Sequence, residues 1–501
     1  GIVCVDDAAR YAVALTGGHA GGANELAGRV AEALGAEPVI TTASESLGLP
    51  ALDSFGEDLG FGVEEGSDLA GVGSALVSGE TVRFVSERRW PLGPLPDNVV
   101  AKVENATDKD ACEGATARIV VSDRLVDEPG PGCVLYRPPS FVAGVGCSRG
   151  ASEGEILNLL RNTLRDAGLS EKSVAALASV DLKADEPGLL GAAESLGVPI
   201  RFRAAEELSR FEVPNPSSVV EGAVGTASVA EASVMATGAA LLVEKEKSRA
   251  ATVAVGRLPV RGTLRLVGLG PGSDDLIPQM AREALARSGV VVGLGQYIER
   301  VRHLLRPGTS IVTLPLGDEI ARCERALEEA REGGSAALVS SGDVGVYAMA
   351  SPALKLAGED VDVEVIPGIT AAQAASSLLG SPLGHDHCSI SLSDLLTPWE
   401  VIERRVETAA AGDFVVSLYN PRSKGRDWQL GKVRSILLEG RPPDTPVGIV
   451  KNAYRDDAEV SVTTLSSLRP EDVDMLTVVV VGSSQTKLVA GRMVTPRGYL
   501  V

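Results

Sequence analysis

The sequence predicts a multidomain α/β protein, and three observations carry that prediction. Strand-like and helix-like segments alternate along nearly the whole chain, the pattern of parallel sheets joined by helical crossovers. Aromatic residues make up only 3% of the chain while glycine and small apolar residues abound. That mixture suits helices packed closely on Val-rich strands better than an aromatic-rich sandwich. At 501 residues the chain also exceeds one ordinary domain.

Composition narrows the partners. A net charge of −20 leaves no basic face, so no nucleic acid is expected, and an anionic substrate would need local arginine clusters. No apolar run reaches the roughly 18 residues that a membrane span requires. The six cysteines are scattered without CxxC pairs or zinc spacing. They read as reduced thiols of a cytoplasmic protein with no metal site of its own.

Taken in order, Ala12–Thr16 reads as a strand that enters the loop Gly17–Gly22. A helix follows, with Leu26, Val30 and Leu34 at four-residue spacing and Gly35 as its stop. Val39–Thr42 is a second strand, and Leu47 to about Pro96 reads as looser, sheet-containing chain. Ala143–Gly146 begins a new unit as a strand. Ser152 and Glu155 form a capping box for a helix carrying Ile156, Leu159, Leu160 and Leu164, ended by Gly168. Val174–Val180, a helix Gly188–Leu196 and a strand Val198–Phe202 come next; Ser228 and Glu231 cap a further helix. Leu241–Val243 and Thr252–Val255 close the unit as strands. The expected division is 1–138, 139–257, a linker 258–262, and a last domain 263–501. Strands of that domain are predicted at Leu264–Val267, Ala336–Val339, Val361–Ile366, Phe414–Leu418, Val447–Val450 and Thr477–Val481.

The first strand of the last domain runs into Gly268-Leu269-Gly270-Pro271-Gly272. Glycines there let a ligand approach backbone, but Pro271 and Asp274-Asp275 break the spacing of a dinucleotide fingerprint. Ser340–Gly345, Pro367–Ala371 and Tyr419–Ser423 likewise follow strands, placing small or hydrogen-bonding residues at the carboxyl edge of one sheet. These segments together resemble the tetrapyrrole methylase family. Leu392–Trp399 and Leu418–Ser423 resemble its precorrin-3B C(17)-methyltransferase branch more narrowly.

The resemblance implies a two-lobed domain that binds S-adenosylmethionine in a cleft. Gly270, Pro271 and Gly272 would shape one wall. Ser341, Gly342 and Asp343 would hold the cofactor, with Thr370 and Ala371 at its methionine end and Asn420 and Asn452 beside the adenosine. Asp343 has an alternative task, capping the turn that follows it. In the family, methylation accompanies ring contraction and leaves a lactone on ring A. Asp394, or His385 and His387, could move a proton in that step. Arg422, Lys424 and Arg426 could receive the substrate's carboxylates, or simply be a solvated loop. Family resemblance also implies a homodimer through this domain.

At the other end, His19 stands in a loop of glycines and alanine before a helix N-terminus, a location that favours an anion. Asn24 opens the helix, as a cap or as a ligand contact. Lys183 lies among Asp181, Asp185 and Glu186 after a strand; either it makes a surface ion pair, or Glu186 is a base for water and Lys183 steadies negative charge. Val145–Gly150 could cradle a carboxylate. These segments, with Pro38–Thr42, resemble the cobalt-precorrin-5A hydrolase family, which opens the ring-A lactone and releases acetaldehyde. Against that family the first lobe is expected to be shortened, because members carry some tens of residues before the strand near Ile2. Both resemblances imply a bifunctional enzyme of cobalamin biosynthesis, acting on an anionic tetrapyrrole that brings its own cobalt. The alternative is a methylase of another tetrapyrrole with a non-catalytic, corrinoid-binding N-terminal half.

Overall fold

A computed structural model describes residues 1–16, 22–41, 47–103, 117–423 and 425–499. The chain forms two compact units, one of Gly1–Arg261 with Arg306–Gly308 and one of Gly262–Leu305 with Thr309–Val501. Sheets alternate with helices in both, which makes the protein α/β throughout.

The first unit opens with a three-stranded sheet of Ile2–Val5, Tyr11–Thr16 and Glu37–Val39. Its helix Ala23–Leu34 ends at Gly35, whose φ of 66° suits a residue without Cβ. The buried face differs from the expected one: Ala23, Ala27 and Ala31 point inward while Leu26 and Leu34 are exposed. Gly22 takes the N-cap position, and Asn24 is buried in the first turn rather than capping it.

The stretch expected to be loose is ordered. It supplies the helix Leu69–Ser78 and strands of a five-stranded sheet, ordered Gly62–Val63, Cys133–Arg137, Ala117–Val121, Val82–Ser86, Val99–Val103. Phe55, Phe61, Phe84, Trp90 and Tyr136 pack there with ring centroids 5.0 to 6.4 Å apart. These rings supply much of the bulk of that core.

A third sheet runs Ile200–Arg203, Val174–Val180, Phe141–Cys147, Ala251–Arg257, Ala240–Lys247; the first three strands are parallel and the last two antiparallel to their neighbours. Helices Glu153–Asp166 and Pro187–Leu196 bury Ile156, Leu160, Leu164 and Leu189 on one face, and Val229–Met235 covers the other. Only half of the predicted capping box forms. Ser152 Oγ accepts from Glu155 N at 3.3 Å. The Glu155 carboxylate instead accepts from Ser248 Oγ and Ala250 N, both at 2.6 Å, because that turn offers two donors at once. Glu231 does the same, taking Asn215 Nδ2 at 2.9 Å and Lys245 N at 3.1 Å.

The second unit holds two five-stranded sheets. The first is wholly parallel, ordered Ser310–Thr313, Val290–Gly293, Ser335–Ser340, Thr263–Gly268, Asp362–Ile366. The second is mixed, ordered His387–Ser391, Val415–Tyr419, Thr477–Val481, Pro446–Lys451, Glu459–Thr464. Tyr419–Ser423, expected at the same sheet edge as the glycine loops, therefore belongs to the other sheet. Among the described residues no helix is long and apolar enough to cross a membrane, and no group of three His, Cys, Asp or Glu side chains is placed to hold a metal.

The third sheet depends on close backbone contact. A Cβ on Gly144 would stand 1.9 Å from the Ala230 carbonyl oxygen. We expect Gly144→Ala to destabilise the first unit by about 1–3 kcal/mol, read as a lowered urea midpoint. An unchanged midpoint would contradict this packing.

Candidate functional site

Three loops leave the carboxyl edge of the parallel sheet in the second unit and touch through glycines. A Cβ on Gly368 would lie 2.1 Å from Gly342 O, and one on Gly268 would lie 2.7 Å from Gly368 N. Gly270 and Gly342 exchange two backbone hydrogen bonds, of 3.1 and 2.8 Å, at φ values of 70° and 71°. Only glycine adopts that pairing without strain. Pro271 is buried beside them. Asp343 locks the arrangement: Oδ1 accepts from Gly345 N at 2.8 Å and Oδ2 from Gly368 N at 3.0 Å. Its carboxylate caps its own turn and ties down a second loop, so it positions the backbone around it.

Gly342 is packed without crowding. A Cβ there would meet nothing nearer than 3.9 Å, and its nearest neighbours are Ala371 N, Ile369 O and Thr370 Cα. Thr370 occupies the N-cap position of helix Ala371–Leu379 without capping it. Its Oγ1 instead lies 2.6 Å from Tyr419 Oη, which also accepts from Ala372 N at 2.9 Å. Tyr347 packs on Tyr419 with centroids 5.0 Å apart and donates to Ser389 O at 2.8 Å. Burial raises the pKa of both hydroxyls. The Asp343 charge raises that of Tyr419 further, against the hydrogen bonds from Thr370 and Ala372. Both tyrosines are therefore neutral near pH 7.

The remaining predicted residues fall on the second sheet. Asn420, at φ 50°, donates from Nδ2 to Ser391 Oγ at 3.0 Å. Asn452 is buried at φ 48°, and its Nδ2 donates to Asp457 Oδ2 at 2.7 Å. The turn it begins reaches the glycine loop, where a Cβ on Gly272 would lie 2.9 Å from Tyr454 O. Asp394 is exposed and accepts from Gln429 Nε2 at 3.0 Å.

Two expectations fail here. His387 pairs with Val415 and Ser391 with Tyr419, so His385 and His387 stand at the amino end of a strand whose carboxyl end leads to Asp394. They share no site with it. Nor do the described residues of the expected basic loop form an exposed cluster. Arg426 is buried, donating from Nη2 to Asn420 O at 3.1 Å, and Arg422 donates to Pro470 O at 3.1 Å. Lys424 lies outside the described residues.

In the first unit, His19 also lies outside the described residues. Lys183 and Glu186 do come together at the carboxyl edge of the third sheet. Glu186, 1% exposed, accepts through Oε1 from Gly150 N at 2.6 Å. Its Oε2 is buried without a hydrogen bond, 3.7 Å from Arg149 Nη1 and 3.9 Å from Lys183 Nζ. Arg149 also pairs with Asp185 at 2.7 Å. Burial raises the Cys147 thiol pKa while Lys183 and Arg149 lower it, which places that thiol beside the same charges. A thiol held protonated is a poor nucleophile. Sequence reasoning missed Tyr347 and the bridging task of Tyr419, because nothing local marks either.

Comparison with known proteins fits this geometry. Residues 263–469 match the tetrapyrrole (corrin/porphyrin) methylases. Residues 1–45, 50–138 and 141–256 match the N-terminal region of cobalamin synthesis G, the cobalamin biosynthesis central region and the C-terminus of cobalamin synthesis G. A probable cobalt-factor III C(17)-methyltransferase of Salmonella typhimurium is 46% identical over 242 residues, 47% of this chain and 99% of that protein. A cobalt-factor III methyltransferase of Priestia megaterium is 46% identical over 247 residues, 48% of this chain; the match spans only 46% of that longer protein. Among solved structures, the methyltransferase CobJ is 39% identical across 47% of this chain and 100% of its own, with a TM-score of 0.45. The chain belongs to the tetrapyrrole methylases, with the three cobalamin synthesis G regions joined ahead of its methylase unit.

Proposed function

We propose that the chain is a bifunctional, cytoplasmic enzyme of cobalamin biosynthesis, homodimeric through its methylase unit. That second unit methylates C(17) of a cobalt-bearing precorrin-3, as relatives named cobalt-factor III C(17)-methyltransferases support, with ring contraction and lactone formation on ring A. The first unit opens the lactone of cobalt-precorrin-5A and releases acetaldehyde. Cobalt arrives chelated in the substrate.

The observation that carries the methyltransferase reading is the meeting of three glycine loops, backbone to backbone, with a helix N-terminus beside Gly342. S-Adenosylmethionine supplies a methyl group already activated on a sulfonium, so alignment and exclusion of water matter more than acid–base help. Residues here fit that need. Gly270, Pro271 and Gly272 form one wall; Ser341 and Gly342 offer backbone groups, positioned by Asp343. Thr370 and Ala371, at the start of a helix, suit the carboxylate of the methionine end. Asn420 and Asn452 border the adenosine side. Asp394 is the group available to move a proton.

In the first unit Glu186 is the base. A desolvated carboxylate oxygen without a donor is costly, and a water donating to Oε2 would relieve it while becoming a nucleophile. Lys183 and Arg149, within 4 Å, steady the negative charge that forms as the lactone opens. His19 is the remaining candidate for binding that charge.

Anaerobic incubation with S-adenosylmethionine and cobalt-precorrin-3 should add one methyl group and form a lactone, read by mass spectrometry. Folded protein that binds the cofactor without methyl gain would mean a different tetrapyrrole. Glu186→Gln should slow acetaldehyde release by roughly 10²–10⁴-fold while leaving methyl transfer unchanged; unaltered release would take Glu186 out of the chemistry, and binding without release in the unsubstituted protein would point to a carrier instead. Tyr419→Phe frees Thr370 and Ala372 N, and should weaken S-adenosylhomocysteine binding about tenfold by calorimetry. Equal affinity would remove Tyr419 from the site.

A further inference from the structure

The two most exposed large apolar side chains among the described residues are neighbours. Leu395 is 85% exposed and Leu396 98%, and Trp428 nearby is 49% exposed. A single bare leucine is ordinary on a protein surface, whereas an adjacent pair beside an indole marks a contact surface.

The loop that carries them is held at both ends. Leu392 is buried in the core of the second sheet, and its N–H donates to Tyr419 O at 2.9 Å. Ser393 N donates to Ser391 Oγ at 3.3 Å. Asp394 accepts from Gln429 Nε2 at 3.0 Å, and Trp399 packs edge-on against Trp428 with ring centroids 4.7 Å apart. Asp394 and Trp399 are thus tied to two successive residues, which brackets the leucines at the start of helix Gln429–Gly440. Pro398, at φ −55°, stiffens the exit from the loop. This pinning keeps both leucines out of the core.

The loop also begins at the cofactor cradle. Tyr419, whose carbonyl receives Leu392 N, joins Thr370 and Ala372 through its hydroxyl. Three residues span at most about 11 Å, so a ligand of four pyrrole rings reaches from that tyrosine to Leu395.

Size and composition decide what covers the patch. Three side chains fall far short of the roughly 800 Å² that each partner of a stable dimer buries. An apolar lining with one placed polar group is the usual form of a small-molecule site. Here that group is Asp394, the only charged side chain from Leu392 to Trp399. The tip therefore offers no cation to the acidic rim of a tetrapyrrole, but an apolar surface to its face.

We propose that Leu395 and Leu396, with Trp428 beside them, form a floor on which one face of the tetrapyrrole lies. The floor sets which edge of the macrocycle meets the cofactor. This rests on the methyltransferase reading and deepens it, since that reading names no group for the macrocycle's apolar face.

The test is fluorescence titration of the full chain with uroporphyrin III, a stable flat tetrapyrrole, beside calorimetry with S-adenosylhomocysteine and sedimentation velocity. Leu395→Ser and Leu396→Ser should each weaken porphyrin binding roughly tenfold, by the same factor at low and high salt, because the lost contact is apolar. Cofactor affinity and melting temperature should hold, because both side chains are exposed in the free protein. Leu396→Met, which keeps the apolar surface, should bind like the unsubstituted protein. Unchanged porphyrin affinity in the variant carrying both serines overturns the proposal and leaves the methyltransferase reading intact. A dimer that dissociates in that variant while porphyrin affinity is kept would give the patch to a second copy of the chain. Cofactor affinity lost together with porphyrin binding would mean a structural role for the loop and overturn the proposal too. Unsubstituted protein that binds the cofactor but no uroporphyrin would remove both the floor and the tetrapyrrole reading.

Discussion

The methylase unit depends on three loops meeting backbone to backbone at the edge of one parallel sheet. Gly268, Gly342 and Gly368 make this possible because no side chain fits between them, the nearest approach being 2.1 Å from a notional Cβ. Asp343 makes it stable, since one carboxylate accepts from two loops at 2.8 and 3.0 Å. A charged acceptor bonding two amides is stronger than the neutral bonds it replaces. Glycine loops otherwise lose much conformational entropy on ordering.

The second sheet completes the site by reaching in. Tyr419 joins Thr370 and Ala372, and the Asn452–Arg455 turn lies on Gly272. Positive φ at Asn420, Asn452, Tyr347 and Tyr454 gathers around the same place. Asn tolerates that conformation better than Tyr does, and strain of this kind persists where surrounding contacts demand it. The first unit solves its problem differently. There a buried carboxylate, Glu186, is held by one backbone amide and two nearby cations, leaving an oxygen unbonded.

Much of this was legible in the sequence. Glycine clusters after apolar runs marked the loops, and the acid–lysine run after Val174–Val180 marked the cluster of Lys183 with the buried Glu186, because both are local patterns. Errors arose where a side chain's partner is distant in sequence. Glu155 had a helix cap three residues away but found two donors at Ser248 and Ala250. Arg426 looked like a surface cation and is buried beneath Asn420. His385 and His387 are near Asp394 in number, yet a strand separates them. Leu26 and Leu34 set the helical period while alanines took the core, since a tight sheet–helix spacing admits only small residues.

Calorimetric titration of Gly368→Ala with S-adenosylhomocysteine tests the central claim most directly. The added methyl would intrude on Gly342 O and Gly268, so the account predicts at least a tenfold loss of affinity in protein that keeps its fold by circular dichroism. Unchanged affinity would contradict it, and would mean that the cofactor does not depend on the glycine cradle.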